Sequence, residues 1–336
     1  MKATLRYRSS LAQARSFTAL LAALLLVLLL GLCIGSTMIS PLEVIAHLLG
    51  KESDNAFTID TLRLPRLLLS VLVGAALGVS GLIMQAVIRN PLGSPDILGV
   101  TGGASLGAVF FITSLAGTIS LKWLPLAAII GAAAVSILIY LLAWRGGVTS
   151  IRLVLVGIGM AAAMGALTTM VIVFSDEHST VQAYIWMVGS VYGANWVDVR
   201  AMLPWAVVIL PLAMLFARTA NVQELGDELA TGLGVRVQLS RLILLAISVA
   251  LAGSAVAYAG AIGFVGLIAP HIARRLVGRK FTRLIPATAI IGGIIVAAAD
   301  TIARTAFLPH DLPAGVFVSG IGAPFFMYLL YRNRHQ

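Results

Sequence analysis

The chain has 336 residues, 60% of them hydrophobic and 11% charged, with 23 Lys+Arg against 13 Asp+Glu. Soluble domains carry about 25% charged residues, so a soluble enzyme, a disordered chain and a nucleic-acid module are excluded. At about 20 apolar residues per membrane helix, a chain of this length and composition supplies roughly ten spans. The net charge of +10 does not point to nucleic acid, because the positives lie in short runs at the ends of apolar stretches.

In chain order, Lys2, Arg6, Arg8 and Arg15 precede an uncharged stretch over 16–42. This resembles a signal peptide but exceeds the about 7–15 apolar residues of a signal core. Leu32 before the lone Cys33 is also not the small residue that lipoprotein processing needs, so a retained first span is predicted. One cysteine permits no intrachain disulfide. Uncharged stretches at 67–88, 97–121, 123–144, 153–175, 201–217, 284–299 and 312–331 predict further spans. Residues 181–197 predict a short interfacial or re-entrant helix, since Trp186, Tyr192 and Trp196 suit the headgroup zone. The uncharged run over 242–273 is long for one span, and Gly260, Gly263 and Gly266 predict a break into two helices.

Ten spans put both termini on one side. With both in the cytoplasm, the inner positives are Lys2, Arg6, Arg8, Arg15, Arg89, Arg145, Arg152, Arg218, Arg236, Arg241, the five between Arg274 and Arg283, Arg332 and Arg334. The outer ones are Lys51, Arg63, Arg66, Lys122, Arg200 and Arg304, an asymmetry that fixes the orientation. Residues 1–336 thus read as a single transmembrane domain, rich in small residues that permit close helix packing. A faint internal repeat links Gly74–Gly78 with Val249–Gly253.

There is no Gly-Lys-Ser/Thr phosphate loop, no metal-ligand spacing and no credible nucleophile in a span. Of the acids, only Asp300 is placed inside the apolar layer, near its outer edge, whereas ion-coupled carriers set ionisable groups near the midplane. Such a carrier, with inverted repeats, is the second reading. The hydrophilic segment 218–241 carries Leu225, Leu229 and Leu233 at a spacing of four, with Glu224, Asp227 and Glu228 on another face. It predicts a coupling loop with a short amphipathic helix, around 223–234, that docks a soluble partner.

Several motifs together carry a family resemblance: Leu62-Arg63-Leu64-Pro65-Arg66, Gly81-Leu82-Ile83-Met84-Gln85, and the run from Arg89 to Gly99 (RNPLGSPDILG). Further on come Gly260–Arg274 (GAIGFVGLIAPHIAR), Ala299–Arg304 (ADTIAR), Leu312–Val316 (LPAGV) and Gly322-Ala323-Pro324. The chain resembles permeases of the FecCD/BtuC type, from ATP-binding-cassette importers of iron-siderophores, haem and cobalamin, and is most similar to the ferric-siderophore branch. The resemblance implies an all-α polytopic fold with ten transmembrane helices, an inverted repeat and both termini cytoplasmic. It also implies no catalysis in this chain. ATP and Mg would be held by two separate ATPase subunits, and cargo would arrive on a periplasmic or lipid-anchored binding protein. A second permease, identical or related, would complete the pore in the bacterial inner membrane.

Site expectations follow. Coupling to the ATPases is assigned to Glu224, Leu225, Gly226, Asp227, Glu228, Leu229, Ala230, Gly232, Leu233 and Gly234. The resemblance gives binding-protein docking to Arg63, Arg66 and Arg304, with an internal pair to Asp300 competing for Arg304. It also gives gate positions at Asn90, Leu92 and Ser150, beside Pro91, which breaks the chain after the second span. Gln85 either faces the pathway or joins helices, and His271 is read as structural.

Overall fold

The computed structural model describes residues 2–116, 118–307 and 311–332, without the side chains of 2–12, 329, 330 and 332. The charges counted at Lys2, Arg6, Arg8, Arg332 and Arg334 therefore lie outside the described side chains. All regular structure among the described residues is helical. The first helices are α1 (Lys2–Cys33), α2 (Pro41–Leu48), α3 (Leu64–Ile88), α4 (Val100–Ser114), α5 (Leu124–Ala143), α6 (Ser150–Val173) and α7 (Glu177–Val188). They are followed by α8 (Trp196–Leu215), α9 (Ala217–Gln223), α10 (Asp227–Gly232), α11 (Val237–Ala259), α12 (Val265–Val277), α13 (Phe281–Ala303) and α14 (Ala314–Arg332). Each of the ten apolar stretches carries one helix. Among the described residues, seven segments qualify by length and composition to cross a membrane, built on α1, α3, α5, α6, α8, α11 and α13, while α4 and α14 contribute shorter apolar helices.

The centre of the molecule is α3, most of whose length is buried. Ridge-to-groove packing with bulky side chains would keep helices 8–10 Å apart, but glycines let its neighbours come closer. A Cβ at Gly74 would collide with the backbone of Gly292 in α13, and one at Gly81 with the backbone of Gly266 in α12. Gly103, Gly107 and Gly131 do the same between α4 and α5. Lipid gives no hydrophobic drive between helices, so this close contact is a main source of cohesion. Gly81→Val forces α3 and α12 apart and is expected to cost about 3 kcal/mol or more, read as a lower melting temperature in detergent. An unchanged melt would show that α12 yields without penalty.

Two elements end differently from the hydropathy pattern. The first uncharged stretch, expected as helix to residue 42, stops at Cys33 because the Arg63 guanidinium takes the carbonyls of Leu32 (2.5 Å) and Cys33 (3.2 Å). Pro41, locked at a helix-compatible φ, then starts α2. The expected interfacial helix is α7, which begins earlier than the aromatic pattern suggests because Asp176 accepts the Ser179 N–H at 2.9 Å as N-cap.

The break expected within 242–273 falls between α11 and α12, through Gly260 (φ 65°) and Phe264 (φ 65°). A parallel break follows α3, through Arg89 (φ 57°) and Gly99 (φ 65°), and leads into α4. Each long buried helix is thus followed by a short one entered through a left-handed residue. Such breaks leave backbone groups open and persist at membrane depth only within protein or beside a water-filled path.

Side-chain bonds sort the polar segments into two ends. At one, Arg63, Arg66, Arg304, Asp60, His47 and Trp196 tie α1, α2, α3, α8 and α13 together. At the other, Arg89, Gln85, Val148, Asp227, Gln238, Arg241 and Arg274 tie α3, α10, α11, α12 and the α5–α6 loop. This is the same division that charge counting makes between outside and inside.

Candidate functional site

The inner end begins where α3 stops. Arg89 adopts the left-handed conformation, and the amide of Asn90 donates to the Gln85 carbonyl at 3.1 Å. The Asn90 side chain accepts the Leu92 N–H at 2.9 Å, an Asx turn that holds Asn90-Pro91-Leu92 as a fixed corner. Asn90 and Pro91 are exposed and Leu92 is half-buried. Ser150, buried at the start of α6, donates to the Val87 carbonyl at 2.9 Å and pins that helix to the same corner. Gln85 resolves toward joining helices: it is buried, donates to the Gly266 carbonyl at 3.2 Å and accepts from Arg274. A cavity of about 510 Å³ opens here, lined by Gln85, Arg89, Asn90, Pro91, Glu224, His271 and three arginines of the α12 end. His271 meets Phe325 edge-on at 5.5 Å.

The short helix expected around 223–234 is α10, which spans only Asp227–Gly232. It is separated from α9 at Gly226, whose φ of 108° no L side chain adopts easily. Leu225 therefore sits in the link, yet Leu225, Leu229 and Leu233 are 55%, 62% and 64% exposed. Ala230 is buried on the opposite side. Asp227, first residue of α10, is the anchor: both its oxygens accept from Arg241 Nη2, at 2.8 and 2.9 Å. Arg241 is 2% exposed and also donates to the Val148 carbonyl. Arg89 approaches the same carboxylate at 3.5 Å. Glu224 lies 3.9 Å from Arg274, and burial pushes its carboxyl above the usual range while Arg274 and Arg279 pull it down. Glu228, Gly232 and Gly234 lie on the outward side, and a Cβ at Gly232 would meet nothing within 4 Å.

Arg89, Arg241 and Arg274 are thus part of the site although sequence reasoning used them only as topological charges. Their signal was their place at span ends; their partners, Asp227 and Gln85, lie on other helices.

At the outer end the docking expectation for Arg63, Arg66 and Arg304 does not match their surroundings. They are 4%, 8% and 9% exposed. Arg63 caps α1 and reaches the Thr37 carbonyl at 2.6 Å. Arg66 donates to Asp300 (2.7–3.0 Å) and to Asp311 (2.7 and 2.9 Å), and Arg304 donates to the Gly31 carbonyl. The competing side-chain pair between Asp300 and Arg304 does not form, although the Arg304 backbone N–H donates to the Asp300 carbonyl at 3.1 Å; the Asp300 carboxylate goes to Arg66 instead. These guanidiniums are spent inside the fold, and the outer cations left exposed are Lys51, Lys122 and Arg200.

Asp96, before α4, is exposed, accepts from Thr101 and lines a small cavity with Leu77, near the middle of α3, and with Phe264 and Gly266.

Residues 23–332 match the FecCD transport family. The achromobactin transport system permease protein CbrC of Dickeya dadantii is 52% identical over 312 residues, 93% of this chain and 89% of that protein. The probable siderophore transport system permease protein YfhA of Bacillus subtilis is 44% identical, covering 95% of both. A solved structure described as an inward-facing conformation of a metal-chelate type ABC transporter superposes with a TM-score of 0.84 at 28% identity, over 94% of this chain and 98% of that one. With its helical fold, broken-helix pair and motifs in order, this chain is an integral membrane protein of the FecCD transport family.

Proposed function

We propose that the chain is the permease subunit of an ATP-driven importer that carries a ferric siderophore across the bacterial inner membrane by alternating access. The observation that carries this reading is the outward leucine face of α10, anchored through Asp227 to Arg241 and Arg89 beside the Asn90-Pro91-Leu92 corner. An apolar face at a polar end calls for a soluble partner. Two ATPase subunits, holding ATP and Mg, dock there; their closure pushes α10, and Asp227 passes the push to α11 and to the end of α3. Asn90, Leu92 and Ser150 line the inner gate. A second permease, identical or related, completes the pathway, and an external binding protein delivers cargo at the outer end where Lys51, Lys122 and Arg200 are exposed. The siderophore assignment leans on relatives named for siderophore transport.

The test is uptake of radiolabelled ferric siderophore in cells lacking and carrying the chain, followed by mass analysis of the purified complex. Uptake should require the chain, stop with orthovanadate and survive dissipation of the proton gradient while ATP is maintained. Uptake that follows the gradient rather than ATP would favour the ion-coupled carrier.

A further inference from the structure

A groove of about 440 Å³ runs along the side of the bundle between α5, α8 and α11, away from the inner site. Its walls are apolar, from Ile129 to Leu141 on α5 and from Leu242 to Ser254 on α11, with Trp205 of α8 at its back. Both serine hydroxyls that border it are already used: Ser136 donates to the Leu98 carbonyl at 3.1 Å and Ser254 to the Leu251 carbonyl at 3.0 Å, which leaves the Tyr140 hydroxyl as the third, at the end near Trp144. Water would find few partners along the rest of the groove, so hydrocarbon suits the space. Twelve residues of helix rise about 18 Å, close to the about 15 Å of one leaflet of a hydrocarbon core. Ile137, Leu141 and Leu242, which rim the groove, are 59%, 63% and 43% exposed, so it opens to lipid.

The inner mouth of this groove is basic. Arg145 lies two residues beyond the end of α5, and Arg236 immediately precedes α11. Gln238 and Val148, bonded in both directions at 3.0 and 3.3 Å, hold these two termini together. Both arginines are exposed, and neither side chain has a partner among the described residues. Arg152, by contrast, is turned onto the Ala143 and Arg145 carbonyls at 3.2 Å. Tyr140 and Trp144, rings 5.8 Å apart, add the aromatic pair typical of the headgroup level. Basic residues at a helix junction on the cytoplasmic side attract anionic headgroups.

We propose that this groove is a binding site for one anionic phospholipid of the inner leaflet, its acyl chain between α5 and α11 and its phosphate on Arg145 and Arg236. Such a lipid fastens α11, which carries Arg241, to the α5–α6 loop on which Arg241 also rests. The proposal concerns the chain's own lipid contacts and stands whichever cargo is imported.

The test uses the full chain in detergent micelles and reads quenching of Trp205, as the difference between wild type and Trp205→Phe, by lipids brominated on the acyl chain. Brominated phosphatidylglycerol should quench at lower mole fraction than brominated phosphatidylcholine, by about fivefold for each arginine engaged. R145Q/R236Q should still be quenched by both lipids but lose that preference, and Ala250→Phe should abolish quenching by both. Equal quenching by the two lipids in wild type, or a preference that survives R145Q/R236Q, overturns the proposal. So does an unquenched Trp205, which would mean that protein, such as a second copy of this chain, covers the groove. Should Ala250→Phe fail to fold, the arginine pair, exposed and without structural partners, keeps the test decisive.

Discussion

Asp300→Ala is expected to remove 3–5 kcal/mol of stability, about the cost of leaving one member of a buried ion pair uncompensated. Asp300 is 0% exposed and accepts from Nε and Nη2 of Arg66, which would keep only Asp311, a carboxylate at the rim. The loss should appear as a much lower melting temperature in detergent and as protease-sensitive chain in membranes. Replacing both partners with apolar side chains, as in R66M/D300L, should recover most of it, because the desolvation penalty goes with the charges. Asp311 would then be freed, and the outer end should gain one exposed negative charge. An unchanged melt for Asp300→Ala would show that the cluster adds nothing to cohesion. Charge reversal at Arg66 would not probe docking. Arg66→Glu places a third acid against Asp300 and Asp311, so lost function would report misfolding rather than lost association. Lys51, Lys122 and Arg200 are the positions where reversal probes the outer surface itself.

Hydropathy made the helices legible because in lipid the demand for uninterrupted apolar residues is nearly absolute. The break after α11 was legible too, since Gly260, Gly263 and Gly266 loosen a run too long for one span. The end of α1 was not, because its cause is Arg63, a side chain some thirty residues away that caps carbonyls in an otherwise unbroken apolar run. Charge told which end of the bundle each arginine occupies but not what it does there. The partners of Arg66 lie 234 and 245 residues along the chain, so a cation at a span mouth read as a docking charge when it is a clamp. The leucine spacing of four survived as an exposed face, but Gly226 was hidden within it. A glycine inside a helical pattern reads equally as tolerated or as a break, and only its φ of 108° decides.

Gly232→Trp is expected to abolish siderophore uptake while leaving the chain folded and inserted, and Gly232→Ala separates the possible reasons. A glycine near a helix end often serves as a left-handed cap, where any side chain costs about 1 kcal/mol. That role falls elsewhere: Gly226 and Gly234 have φ of 108° and 79°, and Gly232 is not among the left-handed residues. Nothing lies within 4 Å of a Cβ placed on it. Gly232→Ala should therefore leave the melt unchanged or raise it slightly, by up to about 1 kcal/mol, as helix propensity improves. The Cβ position at Gly232 is open and exposed, so a tryptophan there can point away from this chain, and a loss of uptake with an unchanged melt arises at the contact with a partner. Overpacking a close interface costs about 1–3 kcal/mol, enough to reduce ATPase association about fivefold or more. Leu229→Glu acts on the same face by a different route, since a carboxylate replaces an apolar contact and must be desolvated on docking. Asp227→Ala removes the anchor rather than the contact. ATPase subunits should still co-purify, but their hydrolysis should no longer respond to the loaded binding protein. The three variants thus divide docking from transmission: the first two lose the ATPases, and the third keeps them uncoupled. Normal uptake in Gly232→Trp and Leu229→Glu would place the energy-coupling contact elsewhere on the inner end, and normal uptake in Asp227→Ala would remove Arg241 and Arg89 from the path between α10 and the gate.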